Sequence, residues 1–206
     1  VVIRSIADNV ALLFLIYDKD EGEIRILRHY LFLLDGIRSR LANIIMPIKN
    51  DDVTEDEYQK LIKQQEDFKS MLNDCKKNII ECITSLKIYN TNKLGIDMLM
   101  KNKKGEELYN WKFKTLNIVP SQINTEKNTY NWKSMYSEIK LPEKFFSSFL
   151  SDYVHGLSMS NITIAPDKQN MGTLVYITKV LMERIELFIH KYYTIELEDI
   201  QKNTKQ

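Results

Sequence analysis

The 206-residue chain carries 29 basic and 28 acidic side chains for a formal charge of +1, with 44% hydrophobic and 10% aromatic residues. Six glycines and four prolines exclude a collagen-like or Gly/Pro-driven disordered chain, and they weigh against a turn-rich sandwich or barrel, which needs punctuation about every 10 residues. The near-even charge excludes a generally basic nucleic-acid coat, while a local basic patch stays compatible with it. At about 100–200 residues per domain, the expectation is one domain over 1–206.

In chain order, apolar residues first recur every three or four positions from Val2 to Tyr17 (Val2, Ile3, Ile6, Val10, Leu13, Phe14, Tyr17), which is helical spacing. Asp18-Lys19-Asp20-Glu21-Gly22 breaks the pattern. A second helix is expected from about Glu23 to Ile45, closed by Pro47 and the polar run Lys49–Asp52. The short connector predicts an antiparallel pair. Thr54 and Glu57 then form a capping-box pattern. From there two heptad registers run to Tyr89: Tyr58, Gln65, Leu72, Ile79, Leu86 and Leu61, Phe68, Cys75, Cys82, Tyr89. This predicts one helix over about 54–90, either the spine of a bundle or half of a coiled coil.

Residues 91–131 lose the periodicity and read as a loop-rich inserted flap, facing a ligand or partner, with a short helix near 93–101. The alternation Tyr109, Trp111, Phe113 suggests one short strand. Beyond Leu141, a helix opening at Pro142 runs through Phe145, Phe146, Phe149 and Leu150 to Tyr153, and Gly156 suits its C′ position. A loop over 158–167 leads to a last helix from about Met171 to Tyr193, followed by a polar tail. The fold class is all-α: a bundle of five or six helices with one long central helix (about 54–90) and a loop-rich insertion (about 91–131).

Cys75 and Cys82 lie seven residues apart. On a helix that is about 10.5 Å of rise, beyond the ~7 Å reach of a disulfide between Cα atoms. Two thiols alone make no zinc site. Read as buried free thiols, they suit a reducing, cytoplasmic setting. The longest apolar run, Ala11–Ile16, is far short of a membrane span, and no signal-peptide pattern opens the chain at Val1, so no membrane role is expected. P-loop, G-x-G-x-x-G, H-E-x-x-H, G-x-S-x-G and paired C-x-x-C motifs do not occur. That disfavours ATPase, dehydrogenase, zinc-protease and hydrolase readings, and neither cofactor nor metal is expected.

Three groups of residues invite chemistry. His155, at a helix end before Gly156, is placed where an imidazole can exchange protons near neutral pH or simply complement the helix dipole. Five of six arginines (Arg4, Arg25, Arg28, Arg38, Arg40) fall in the first 40 residues. Arg4 and Asp8 are an i,i+4 pair, and Arg28 and Asp35 share a face two turns apart. These arginines serve either salt bridges or an anionic ligand such as an RNA phosphate, with Arg25 and Arg28 the candidate phosphate binders. Arg184 and His190, finally, are spaced R-x5-H.

This last spacing resembles the loose R-x(4–6)-H signature of the HEPN (higher eukaryotes and prokaryotes nucleotide-binding) superfamily of helical ribonucleases. The resemblance implies metal-independent RNA cleavage, with Arg on phosphate and His in acid/base chemistry across a dimer interface. An offset of six leaves the two side chains about 120° apart on a straight helix, so one site would draw on a distortion or a second subunit. Arg4-Ser5-Ile6-Ala7-Asp8 also resembles an R-S-x-x-[DE] element. Trp132…Tyr136 followed by Ser151-x-Tyr153-Val154-His155-Gly156 resembles a W…Y…S-x-[YF]-[VI]-H-[GSA] signature. Both occur in uncharacterised bacterial all-helical families near mobile elements or defence genes, some grouped with HEPN-like and abortive-infection proteins. The resemblance implies that Arg4, Asp8, Tyr153 and His155 converge in one polar site. The expected function is a HEPN-like ribonuclease or toxin-type effector, or else a non-enzymatic helical scaffold. The expected assembly is a homodimer through the 54–90 helix or the terminal one, with RNA or another protein as further partner.

Overall fold

The structure, a computed structural model, describes residues 2–49, 53–141 and 168–194. The helix expected from Pro142 and the motif containing Tyr153 and His155 lie outside these residues. The described residues are 74% helical and carry no β-strand, so the fold is an all-α helical bundle. Six α-helices are described: α1 (Val2–Leu13), α2 (Gly22–Ala42), α3 (Glu55–Ser85), α4 (Lys87–Met100), α5 (Trp132–Glu138) and α6 (Lys168–Tyr192). Contacts group the chain into two compact units, residues 15–130 in one and residues 1–14 with those from Asn131 onward in the other.

In the unit formed by the two ends of the chain, α1 packs on α5 and α6. Its buried Ala7, Val10 and Ala11 recur at helical spacing and meet a core that includes Met135, Tyr136, Ile139, Leu141, Ile177 and Leu181. The helix expected to run to Tyr17 gives way after Leu13 to a π-helical turn, Phe14–Asp18, which buries Leu15 and Ile16. The unit boundary falls inside this turn.

In the unit spanning 15–130, α2 offers Leu27, Leu31, Leu34 and Ile37 to the core. The long helix begins as its sequence predicts. The Thr54 hydroxyl accepts from Glu57 N at 3.4 Å and the Glu57 carboxylate accepts from Thr54 N at 3.1 Å. Of α3's 31 residues only Leu72 and Ile83 are buried. The heptad pattern outlasts the helix, because Leu86 turns extended (φ −65°, ψ 140°) and α4 starts anew at Lys87. Two local causes converge there. The hydroxyls of Thr84 and Ser85 donate to the carbonyls of Glu81 and Cys82, and such bonds offer the backbone an alternative to the next helical turn. Meanwhile the Glu23 carboxylate, from the first turn of α2, accepts from Lys87 N at 3.1 Å and Ile88 N at 2.7 Å. It thereby satisfies two of α4's orphan donors. Cys75 and Cys82 are exposed, which corrects the expectation of buried thiols: they flank the buried Leu72 and Ile83, with Cys82 in hydrogen-bonding contact with Tyr30 of α2.

Residues 101–130 are loop-rich, but their aromatic side chains are core: Tyr109, Trp111, Phe113 and Tyr130 are each at most 5% exposed. The strand expected at Tyr109–Phe113 does not form. Tyr109 adopts a left-handed φ of 49°, which ends any extended run, and only Phe113 makes an isolated bridge, to Thr129. Gly95 lets α4 approach the 3-10 turn Pro120–Gln122 and the residue after it, since a Cβ there would lie 2.9 Å from Ile123 Cδ1.

Candidate functional site

Arg4 and Asp8 come together as the i,i+4 spacing predicts, with Arg4 Nε donating to Asp8 Oδ1 at 3.0 Å. A third group completes the cluster. Asn131 and Ser134 cap α5 reciprocally at 2.8 and 3.0 Å, which sets the short helix so that Tyr136 points inward. Tyr136 is fully buried, and its phenol donates to the same Asp8 oxygen. The Arg4 guanidinium lies 5.5 Å from the Tyr136 ring centroid, and Trp132 lies tilted against that ring at 6.2 Å.

Burial raises the Tyr136 phenol above its ordinary pKa, the hydrogen bond and charge of Asp8 raise it further, and Arg4 pulls it down. At neutral pH the phenol is therefore a donor and not a base. The cluster balances one cation against one anion and holds α5 to α1, with Arg4 and Asp8 still partly exposed (side chains 22% and 31%). It can orient a carboxylate and present part of a guanidinium. Tyr153 and His155, expected in the same site, lie outside the described residues. Tyr136 was within sequence reach only as the Y of the W…Y resemblance, with nothing in the spacing to single it out as Asp8's partner.

The phosphate role expected of Arg28 does not hold. Its side chain is 0% exposed and each of its three nitrogens donates a hydrogen bond. Nε donates to Asp20 Oδ2 at 2.8 Å and Nη2 to the same oxygen, while Nη1 donates to the carbonyls of Trp111 at 2.7 Å and Phe113 at 2.8 Å. The guanidinium carbon also sits 4.1 Å from the Phe113 ring centroid. Burial lowers its pKa, opposed by Asp20. Arg28 is thus the staple that fixes the 101–130 loops to α2. Asp35, its expected partner, is used otherwise, bonded to Arg38 and to Trp111 Nε1, the latter at 3.0 Å. Arg25 is half-buried on α2.

Arg184 is half-buried on α6 and His190 is exposed, 3.8 Å from Glu186, so the R-x5-H pair does not form one site within the helix. One histidine escaped the sequence reading. His29 Nδ1 is 3.1 Å from Tyr17 Oη, and partial burial lowers its pKa. Among the described residues no three His, Cys, Asp or Glu side chains gather as a metal site, and no helix is long and apolar enough to cross a membrane. No protein-family model, curated protein or solved structure matches the chain.

Proposed function

We propose that the chain is a helical interaction module that works as a homodimer joined through α6. One observation carries this reading: α6 buries one face in its own unit and leaves a second apolar seam in solvent. Ile177 and Leu181 are buried, whereas Met171, Val175 and Met182 are 50%, 66% and 56% exposed. Met171, Val175, Thr178, Met182, Ile185 and Ile189 recur at the alternating four- and three-residue spacing of a coiled-coil seam. Exposed apolar side chains along such a seam, where Ile185 and Ile189 are half-buried, mark an association site. The occupant is a second copy, because the charges beside the seam complement themselves when the helix is paired with its own reverse. Lys179 and Glu186 flank Met182 on one side, and antiparallel pairing sets each lysine against the other copy's glutamate. The setting is cytoplasmic, where the exposed thiols of Cys75 and Cys82 persist reduced.

Light scattering at micromolar concentration should return twice the 24.4 kDa chain mass. Val175→Glu/Met182→Glu should return the monomer with an unchanged circular dichroism spectrum. A wild-type monomer would overturn the proposal.

A second reading, a metal-independent, HEPN-like ribonuclease or toxin-type effector of a bacterial defence system, is supported by the Arg4–Asp8–Tyr136 cluster, or by Arg184 and His190 from two copies. It predicts RNA cleavage in the presence of EDTA and growth arrest on expression, both lost in Arg4→Ala and in His155→Ala. Intact RNA and unaffected growth would remove it.

A further inference from the structure

An open cleft of about 510 Å³ lies between the loop after α4 and the turns near Ser121–Thr125, entirely within the 15–130 unit. Ligand sites are commonly about 300–1,000 Å³. Met98 and Leu108 supply apolar wall, and Lys101, Lys103 and Lys104 line the rim. The loop that carries the lysines is fixed by its own backbone. Asn102 Oδ1 accepts from Lys104 N at 2.8 Å and Glu106 N at 3.0 Å, Asn102 N donates to Glu106 O at 2.8 Å, and Gly105 takes the left-handed φ of 79° that closes the turn. The opposite side is tied down by Asn124, which donates to the Met98 carbonyl and accepts from Asn110.

The three ammonium groups have no ion-pair partner among the described residues. Elsewhere in this unit Lys76 pairs with Glu107 and Lys49 with Glu55. Here the one lining carboxylate, Glu106, is held by Asn102 Nδ2 at 2.6 Å. Three cations against one anion leave the cleft with an excess of two positive charges, repelling one another until a guest anion enters. We propose that this cleft binds a small organic phosphate of sugar-phosphate size. Lysines act as compact point charges that can meet a phosphate dianion from several directions at once. No aromatic side chain lines it, so nothing would stack a nucleobase. The Ser121 hydroxyl and Glu106 carboxylate remain to meet sugar hydroxyls, over the Met98 and Leu108 wall.

The proposal is independent of the α6 dimer. Calorimetric titration with ribose 5-phosphate, beside inorganic phosphate and neutral ribose, tests it on the full chain at low ionic strength. Ribose 5-phosphate should bind at least tenfold more tightly than inorganic phosphate, ribose should give no heat, and binding should weaken as salt rises. Lys103→Glu/Lys104→Glu should weaken it at least tenfold, while Lys60→Glu, an exposed lysine on α3 outside the cleft, should leave it unchanged. No binding of ribose 5-phosphate, equal binding of inorganic phosphate, or equal loss in both variants would overturn the assignment. So would binding of single-stranded RNA alone.

Discussion

At the scale of single residues, two of the arginines that the sequence offers to an anion, Arg4 and Arg28, are already engaged by carboxylates, to different degrees. Arg4 shares Asp8 with Tyr136 and stays partly exposed, whereas Arg28 is sealed under the loops it holds. Breaking a buried ion pair from one side leaves the other partner desolvated, typically at about 3–5 kcal/mol. Asp20 keeps 19% exposure, which places Arg28→Met at the lower end, about 3 kcal/mol. Arg28→Lys keeps the charge but loses the fork that reaches Asp20 and two carbonyls at once, and should still cost more than about 1 kcal/mol. Urea unfolding of a Trp132→Phe background, followed by the fluorescence of the remaining Trp111, whose carbonyl Arg28 holds, reads both. A midpoint for Arg28→Met equal to wild type would mean that the staple contributes nothing. The Arg4–Asp8 contact was legible because its partners sit one turn apart. Arg28 was not, because its acceptors lie across a turn at Asp20 and 83 to 85 positions away at Trp111 and Phe113.

At the scale of elements, periodicity and capping located the longer helices but not α5 (Trp132–Glu138), and placed the ends unevenly. Thr54 and Glu57 mark the start of α3 because both halves of that cap are local. Its end was legible only in part. The heptad continues through Leu86 to Tyr89, and neither Gly nor Pro interrupts it, yet the backbone breaks where Glu23, 64 residues earlier, caps the next helix. A cap supplied from another helix leaves no spacing to read. The same holds for residues 101–130, whose order comes from buried aromatics and the Arg28 staple and not from a repeating pattern. Removing the Glu23 cap isolates its contribution. Glu23→Ala should destabilise by about 0.5–2 kcal/mol, the range for a lost N-cap. It should also speed hydrogen exchange at the Ile88 amide more than at amides around Leu72 in mid-α3. Uniform acceleration across both would show that the carboxylate is not a local cap.

At the scale of the whole molecule, both long helices that the sequence offered for assembly present apolar side chains to solvent, and their flanking charges separate them. On α3 the exposed register is Leu61, Phe68, Cys75 and Cys82, interleaved with Gln64, Met71 and Asn78. Polar residues therefore occupy two of its three alternate layers, and Asp67, Asp74 and Glu81 run along one side with like charge. On α6 the seam is apolar apart from Thr178, and the adjoining charges alternate in sign, Lys179 then Glu186. In a parallel dimer each charge would sit at the level of its own copy, and only reversal matches lysine to glutamate. Exposed pairs are individually worth little, about 0.2–1 kcal/mol each, but the dimer has two and reverses the sign of both together. Lys179→Glu should therefore weaken dimerisation about tenfold, as should Glu186→Lys, and the double exchange Lys179→Glu/Glu186→Lys should restore it. Sedimentation velocity over a concentration series measures all three. If the double variant is as weak as either single one, α6 does not pair antiparallel with itself. If instead mild oxidation of the wild type yields a dimer covalently linked through Cys75, the seam on α3 is the one that meets its copy.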